Sequence, residues 1–414
     1  MKRYLILICL LIIQVGSAVM AQQKDLDFYL SEASIHSPGL SDIQNQERSL
    51  GMDSVKLKGI YGPQITASSS ILYAPVIKGW GYDEIITNGQ NVTGVVTVSK
   101  QIIGKNNLQS RLSGFSIQKQ QLNNQAKLTK KTLEQVITAQ YITSYGSQQQ
   151  YLLAREIDSF LQTEDGVLKQ LTRAAAFKQT DYLTFKVALQ QQHLTVQQIK
   201  TQFLSDLGTL NYLCGIDDSS WTALCRPEIQ DSTLLPFEQT VYYEGSLIDS
   251  IKNQNDAQII DLNYKPQINV FADGGYQSSF IYQAHKNFGA SIGLTMTLPI
   301  YDGQQKKFSL LQNELLEDTR KKYTDFYHKQ YNQQVRQLTQ QLGEYEHLIA
   351  QAAQQLLYAE TLVEANRKQL ATGDVRITDY LLSVNNYLNL RAGIIQNDMN
   401  QLSLLNQIHN IILK

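Results

Sequence analysis

Five residues from Gly289 to Gly293 read Gly-Ala-Ser-Ile-Gly, the G-x-S-x-G spacing that presents a nucleophilic serine. That chemistry needs the serine on a sharp turn from strand to helix. Here Ser291 falls inside an unbroken alternation of apolar and small residues, so a strand runs through it and no elbow is expected. The histidines, His36, His193, His285, His328, His347 and His409, show no metal spacing such as H-E-x-x-H. Glu344-Tyr345-Glu346-His347 belongs to a long helical stretch and is read as solvent-facing. No glycine loop suited to phosphates appears. Formal net charge is −1, without a basic run, which excludes nucleic acid as a partner. The chain is therefore read as a non-enzyme with no cofactor and no metal. Two breaks in the helical stretches hold Asp181 in one, and Gly373, Asp374, Arg376 and Asp379 in the other.

The N-terminus reads as an export signal over residues 1–21. Lys2 and Arg3 precede the apolar run from Leu5 to Ile13, and Val19 and Ala21 suit a signal-peptidase site, so the mature chain is expected to start at Gln22. No later apolar run reaches the roughly 20 residues of a spanning helix. An exported protein meets an oxidising compartment, which permits a disulfide between Cys214 and Cys225. Two separate small thiols fit the same spacing, and both readings stand.

The elements that carry these residues come in two copies. Tyr61-Gly62-Pro63-Gln64-Ile65 matches Tyr264-Lys265-Pro266-Gln267-Ile268 at an offset of 203, and Thr180-Asp181-Tyr182-Leu183 matches Thr378-Asp379-Tyr380-Leu381 at an offset of 198. Matches this far apart at near-constant offset indicate an internal duplication. The expected organisation is a first repeat over 22–213, a connector over 214–236 carrying both cysteines, and a second repeat over 237–414. Each repeat reads as helix, strand, loop, strand, very long helix, break and long helix.

Strand patterning is clearest where Phe288, Ala290, Ile292, Leu294, Met296 and Leu298 alternate with Gly289, Ser291, Gly293, Thr295 and Thr297. In the first repeat Val92, Val96 and Val98 alternate with Thr93, Thr97 and Ser99, with Gly94 and Val95 out of pattern. The partners at 64–73 and 267–276 are richer in Ser, Gly and aromatics, and Gly274-Gly275 suggests a bend or close packing. One apolar face and one small polar face suit a transmembrane strand, so Phe288, Ile292, Leu294, Met296 and Leu298 are assigned to lipid. Four strands cannot close a barrel, and an open edge is not tolerated in lipid. Several chains must then share one barrel.

Proline is absent from 106–173 and from 304–371, and good helix formers dominate both stretches. Leu338, Leu342, Tyr345, Ile349, Ala352, Leu356, Ala359 and Val363 recur at steps of four and three, a coiled-coil seam. Each such helix would be a rod of about 100 Å. Thr372-Gly373-Asp374 breaks the second rod before a return helix that Thr378 or Asp379 could cap. Residues 176–181 break the first rod without glycine.

This ordered set, with Pro-Gln-Ile entering the first strand and Leu298-Pro299-Ile300-Tyr301-Asp302-Gly303 leaving the second, resembles the TolC family of outer-membrane efflux proteins over nearly all of the chain. The resemblance implies a mixed α+β membrane protein, mostly α. Its homotrimer would pool four strands per chain into a twelve-stranded β-barrel in outer-membrane lipid, continuous with a long periplasmic α-helical coiled-coil barrel. It further implies a periplasmic adaptor (membrane fusion) protein and an inner-membrane RND or ABC pump as partners. Carried over, Gly373 and the following turn match the tip of the tunnel, and Asp379 matches the first of two aspartates at the periplasmic constriction; Leu382 stands at the second. An arginine of the family lies near Arg376, one residue out of register. The exit of the first strand pair departs from the pattern, reading Lys100-Gln101-Ile102-Ile103-Gly104. The helix before the second Pro-Gln-Ile, read as 255–264, is expected to be much shorter than its counterpart over 39–59. A periplasmic adaptor or structural coiled-coil protein is the alternative; it would show one hairpin and no lipid-facing strand pairs.

Overall fold

The computed structural model describes residues 24–412 apart from 88, 219, 230–233 and 281–282. The expected signal peptide, 1–21, and the start at Gln22 lie outside these residues.

The first half runs α1 (Leu26–His36), α2 (Pro38–Ile60), β1 (Gln64–Tyr73), β2 (Gln90–Ile102), α3 (Lys105–Arg173) and α4 (Gln179–Cys214). The second runs α5 (Val241–Asn263), β3 (Gln267–Ser278), β4 (Phe288–Thr297), α6 (Gln305–Thr372) and α7 (Ile377–Ile412). From α2 and α5 onward the two halves repeat in order and nearly in length: α3 and α6 span 69 and 68 residues, and α4 and α7 span 36 each. No described helix is long and apolar enough to cross a membrane.

One expectation is overturned. The helix before the second Pro-Gln-Ile is not short: α2 and α5 are 23 residues each. The start of α5, Val241-Tyr242-Tyr243-Glu244-Gly245, is poor in helix formers, and glycine alone costs about 1 kcal/mol against alanine. Packing overrides that preference. A Cβ on Gly245 would lie 2.9 Å from the Asn124 amide, so the missing side chain permits a close helix approach. Ile248 and Leu262 are buried, Gln121 donates to Asp249 at 2.8 Å, and Arg111 donates to Asn263.

The chain divides into two compact units, each drawing on both halves. One comprises 42–126 and 242–326 and contains the sheet. Its order is β1-β2-β3-β4, antiparallel throughout, which leaves β1 and β4 as edges. The register decides which side chains share a face, because directly opposed residues point the same way. Ile65, Val98 and Ala272 fall on one face with Ile292; Val270 with Leu294, Ile268 with Met296, and Tyr276 with Phe288 share it. The opposite face carries Thr66, Ser68, Thr93, Thr97, Asn269, Asp273, Ser291 and Thr295. Gly94 and Val95 remain in register: Gly94 lies on the apolar face and Val95 lies opposite Gly275. A Cβ on Gly275 would come within 2.2 Å of the Gly94 carbonyl oxygen, so the close packing expected at Gly274-Gly275 is a close approach of backbones.

The other unit comprises residues up to 41 with 127–241 and 327–414. One of its cores joins the ends of both long hairpins: Leu153, Ile157, Leu161 and Leu168 of α3, Phe185 and Leu189 of α4, Leu370 of α6, and Ile377, Tyr380, Leu381 and Val384 of α7. A second gathers Tyr29 and Ala33 of α1 with Ile137, Tyr141, Phe203, Leu207 and Cys214. It also pins the connector, where buried Gln148 donates to the Leu224 carbonyl and accepts from its N–H at 2.9 and 2.8 Å.

Candidate functional site

Each long helix must stop and reverse, and both use the same device. At the end of α6, Gly373 adopts a φ of +82°, its N–H donates to the Leu370 carbonyl at 3.2 Å, and the Asp374 N–H donates to Gln369 at 2.9 Å. That pair of bonds is the Schellman cap. At the end of α3 the same bonds form without glycine. Ala175 takes a φ of +61°, donating to Thr172 at 3.1 Å, and the Ala176 N–H donates to Leu171 at 3.0 Å. Ala175 stands 198 residues before Gly373, the offset seen in the sequence.

The return helices start in matching register, α4 at Gln179 and α7 at Ile377. Lys178 and Arg376 therefore occupy equivalent positions before the first turn, and Asp181 and Asp379 equivalent third positions within it. Neither Thr378 nor Asp379, the two side chains expected to cap α7, accepts a bond from a first-turn backbone N–H. The backbone N–H of Asp379 donates to the Arg376 carbonyl at 3.1 Å, while its carboxylate accepts two bonds from the Arg376 guanidinium, 2.9 Å from Nε and 3.1 Å from Nη2. Two parallel bonds are the strong form of an Arg–carboxylate pair, and they hold the Arg376 pKa above its ordinary value. The first copy lacks this clasp, since Asp181 is approached by the Thr180 hydroxyl at 3.5 Å and has no Lys178 contact. Asp374 accepts from the Thr372 hydroxyl at 2.6 Å and so belongs to the turn itself. Leu382, one turn beyond Asp379, is 60% exposed, an apolar group facing outward where a second carboxylate was the comparison.

Beneath the tips the structure adds residues that the sequence did not single out. Glu164 of α3 accepts from Arg367 of α6 at 2.8 Å, Asp165 pairs with Lys186 at 3.0 Å, and Glu156 faces Arg391 at 3.7 Å. Tyr380 is fully buried beside Phe160, with its ring centroid 6.3 Å away. Burial, then the charge of Glu164, drives the Tyr380 pKa well above the ordinary phenol value. Periodicity identifies the faces of these helices but not which charges meet across them.

The strand residues assigned to lipid are exposed on the chain: Phe288 at 74%, Ile292 at 87%, Leu294 at 64%, Met296 at 56% and Leu298 at 47%. Ser291 lies in mid-strand, donating to both Asp273 carboxylate oxygens at 2.9 Å, so the G-x-S-x-G residues have strand geometry and no elbow. Cys214 and Cys225 are separate free thiols, the first buried and the second half-buried. Burial pushes the Cys214 thiol up to about 12. No group of metal-ligating side chains forms among the described residues.

No family model and no curated protein matches the chain. Solved structures do. The outer membrane protein VceC of Vibrio cholerae matches with a TM-score of 0.74 and 13% identity, over 93% of this chain and 95% of that one. The CmeC outer membrane channel of Campylobacter jejuni gives 0.73 and 11% over 94% and 85%. The open state of the MtrE outer membrane channel of Neisseria gonorrhoeae gives 0.73 and 9% over 94% and 88%. The chain thus has the fold of the TolC-family outer-membrane efflux channels, the family its sequence resembles.

Proposed function

We propose that this chain is one protomer of a homotrimeric exit duct that carries solutes from the periplasm through the outer membrane. The observation that supports it most is the sheet. It presents one continuous apolar face and leaves β1 and β4 unpaired as edges. An apolar face suits lipid, but lipid does not tolerate open edges, so β4 of one copy must pair with β1 of the next. Three copies close a barrel of twelve strands. The ends of the apolar face support the same reading. Tyr73, Tyr276 and Phe288 lie at one end and Lys100 near the other, as aromatic belts and snorkelling lysines do at lipid–water boundaries.

In this reading the long hairpins form a periplasmic tunnel and the tips close it. Asp379 of each chain contributes to an acidic ring partly neutralised by Arg376, with Asp181, Gly373 and Asp374 shaping the turns. The duct acts with a periplasmic adaptor and an inner-membrane RND or ABC pump, which selects the cargo. The first repeat, connector and second repeat supply the two hairpins and two strand pairs. Two hairpins and four membrane strands per chain disfavour the adaptor reading, which needs one hairpin and none of the strands.

The test is assembly. Protein extracted from outer membranes in mild detergent should run as a trimer, and cysteines placed on β1 and β4 should cross-link between copies. A monomer in detergent, or protein free in periplasmic extract, overturns the proposal.

A further inference from the structure

The polar face of the sheet holds one charge. Among the described strand residues the charged side chains are Lys100 and Asp273, and the register separates them. Lys100 lies opposite Val270 on the apolar face, whereas Asp273 lies between Thr97 of β2 and Ser291 of β4 on the polar face. Ser291 donates to both Asp273 oxygens at 2.9 Å, which keeps the carboxylate against the sheet at a fixed height. Nearby, a Cβ on Gly293 would come within 2.3 Å of the Phe271 ring, so that ring lies flat over Gly293. Phe271 is directly opposite Gly293 in the register, two residues before Asp273 on the same face.

We propose that Asp273 is a specificity-determining residue of the pore: three copies form an acidic ring inside the barrel that favours cationic over anionic solutes at the level of the membrane. This rests on the duct reading, which turns the polar face toward the lumen. It concerns a different unit of the chain from the tip aspartates. A carboxylate on a neutral wall with lipid behind it faces little competing charge, and a charged ring at a confined, low-dielectric wall concentrates counter-ions. Ser291 acts as a positioning residue, since its hydroxyl satisfies the carboxylate without neutralising it.

The test uses thiol-modifying reagents added from outside to the mature protein reconstituted in liposomes, with Cys214 and Cys225 replaced by alanine. One reagent carries a trimethylammonium group and the other a sulfonate. Thr97→Cys places the reporter beside Asp273, and Ile292→Cys is the topology control. Thr97→Cys should react while Ile292→Cys stays protected by lipid. The ratio of cationic to anionic reagent rates at Thr97→Cys should then fall about threefold on Asp273→Asn at 0.15 M salt, and further at lower salt where screening weakens. Asp273→Glu should keep the ratio, and Ser291→Ala should lower it partly. If the control is protected but the ratio ignores Asp273→Asn, the acidic ring is overturned and the duct stands. If Ile292→Cys reacts as readily as Thr97→Cys, the membrane reading fails and the ring with it.

Discussion

Glu164 of α3 and Arg367 of α6 form a 2.8 Å hydrogen-bonded ion pair that ties one helical hairpin to the other. The carboxylate side chain is only 6% exposed, and the guanidinium lies 5.5 Å from the Phe160 ring centroid. A buried carboxylate depends on its partner, so Arg367→Gln should cost about 1–3 kcal/mol, Arg367 itself being part-exposed. Glu164→Gln removes the charge with its need for a partner and should cost less. Thermal unfolding in mild detergent would rank the two, and faster amide exchange over 153–168 and 377–384 should accompany the first. Equal losses would show that the pair is not what holds the carboxylate.

The alanine in a left-handed conformation makes an opposite-signed pair of predictions. Ala175 at φ +61° occupies the position that Gly373 occupies at +82°. A non-glycine residue there costs about 1 kcal/mol or slightly more. Ala175→Gly should raise stability by about that amount and Gly373→Ala should lower it similarly. Nothing lies within 4 Å of a Cβ built on Gly373, so backbone conformation alone sets the effect. Unfolding midpoints of the two variants should shift in opposite directions.

Two sheet glycines separate backbone crowding from mere lack of a side chain. Gly275→Ala would drive a Cβ into the Gly94 carbonyl and Val95 Cα, at 2.2 and 2.7 Å, and main chain cannot swing aside. Gly289→Ala meets nothing within 4 Å. The first should cost about 1–3 kcal/mol or prevent assembly, and the second should be close to neutral. Heat resistance of the assembled species on a mild-detergent gel would tell them apart.

Arg376 and Asp379 should act on ion passage rather than on stability, because Arg376 is largely and Asp379 about half open to water. In the proposed trimer, Arg376→Gln would leave the Asp379 carboxylates uncompensated and should strengthen cation preference in bilayer recordings. Asp379→Asn should weaken it. Reversal potentials under a salt gradient measure both, and a shift of the same sign for the two variants would remove Asp379 from the gate.

Lys131 is buried, donates to the Asn410 carbonyl at 2.5 Å, and has its pKa lowered by burial to about 8 from 10.5. Between those values the unfolded chain binds more protons than the folded one, so stability rises with pH. Cys214, raised to about 12, acts oppositely above about pH 9, where an unfolded thiol ionises first. The difference between wild type and Lys131→Met should therefore grow in favour of wild type from pH 8 to 10. A flat difference would mean Lys131 keeps an ordinary pKa in the fold.

Much of the architecture was written in periodicity. The two-residue alternation from Phe288, the proline-free stretches and the offsets of 203 and 198 place strands, long helices and breaks within a residue or two of their positions. These are local signals, because helix and strand geometry each impose a fixed repeat on the side chains. The signal failed at α5, read as 255–264, where the opening glycine and aromatics are poor helix formers and the packing of Gly245, Ile248 and Leu262 makes the helix.

The chain's own order of residues thus settled the element types, the duplication, and which strand face is apolar. The tertiary structure decided which polar groups meet across elements: Glu164 with Arg367, Asp165 with Lys186, and Ser291 with Asp273. Such pairings depend on strand register and on how helices are turned toward one another. Both are fixed by contacts between residues distant in sequence, and a local repeat carries no record of those.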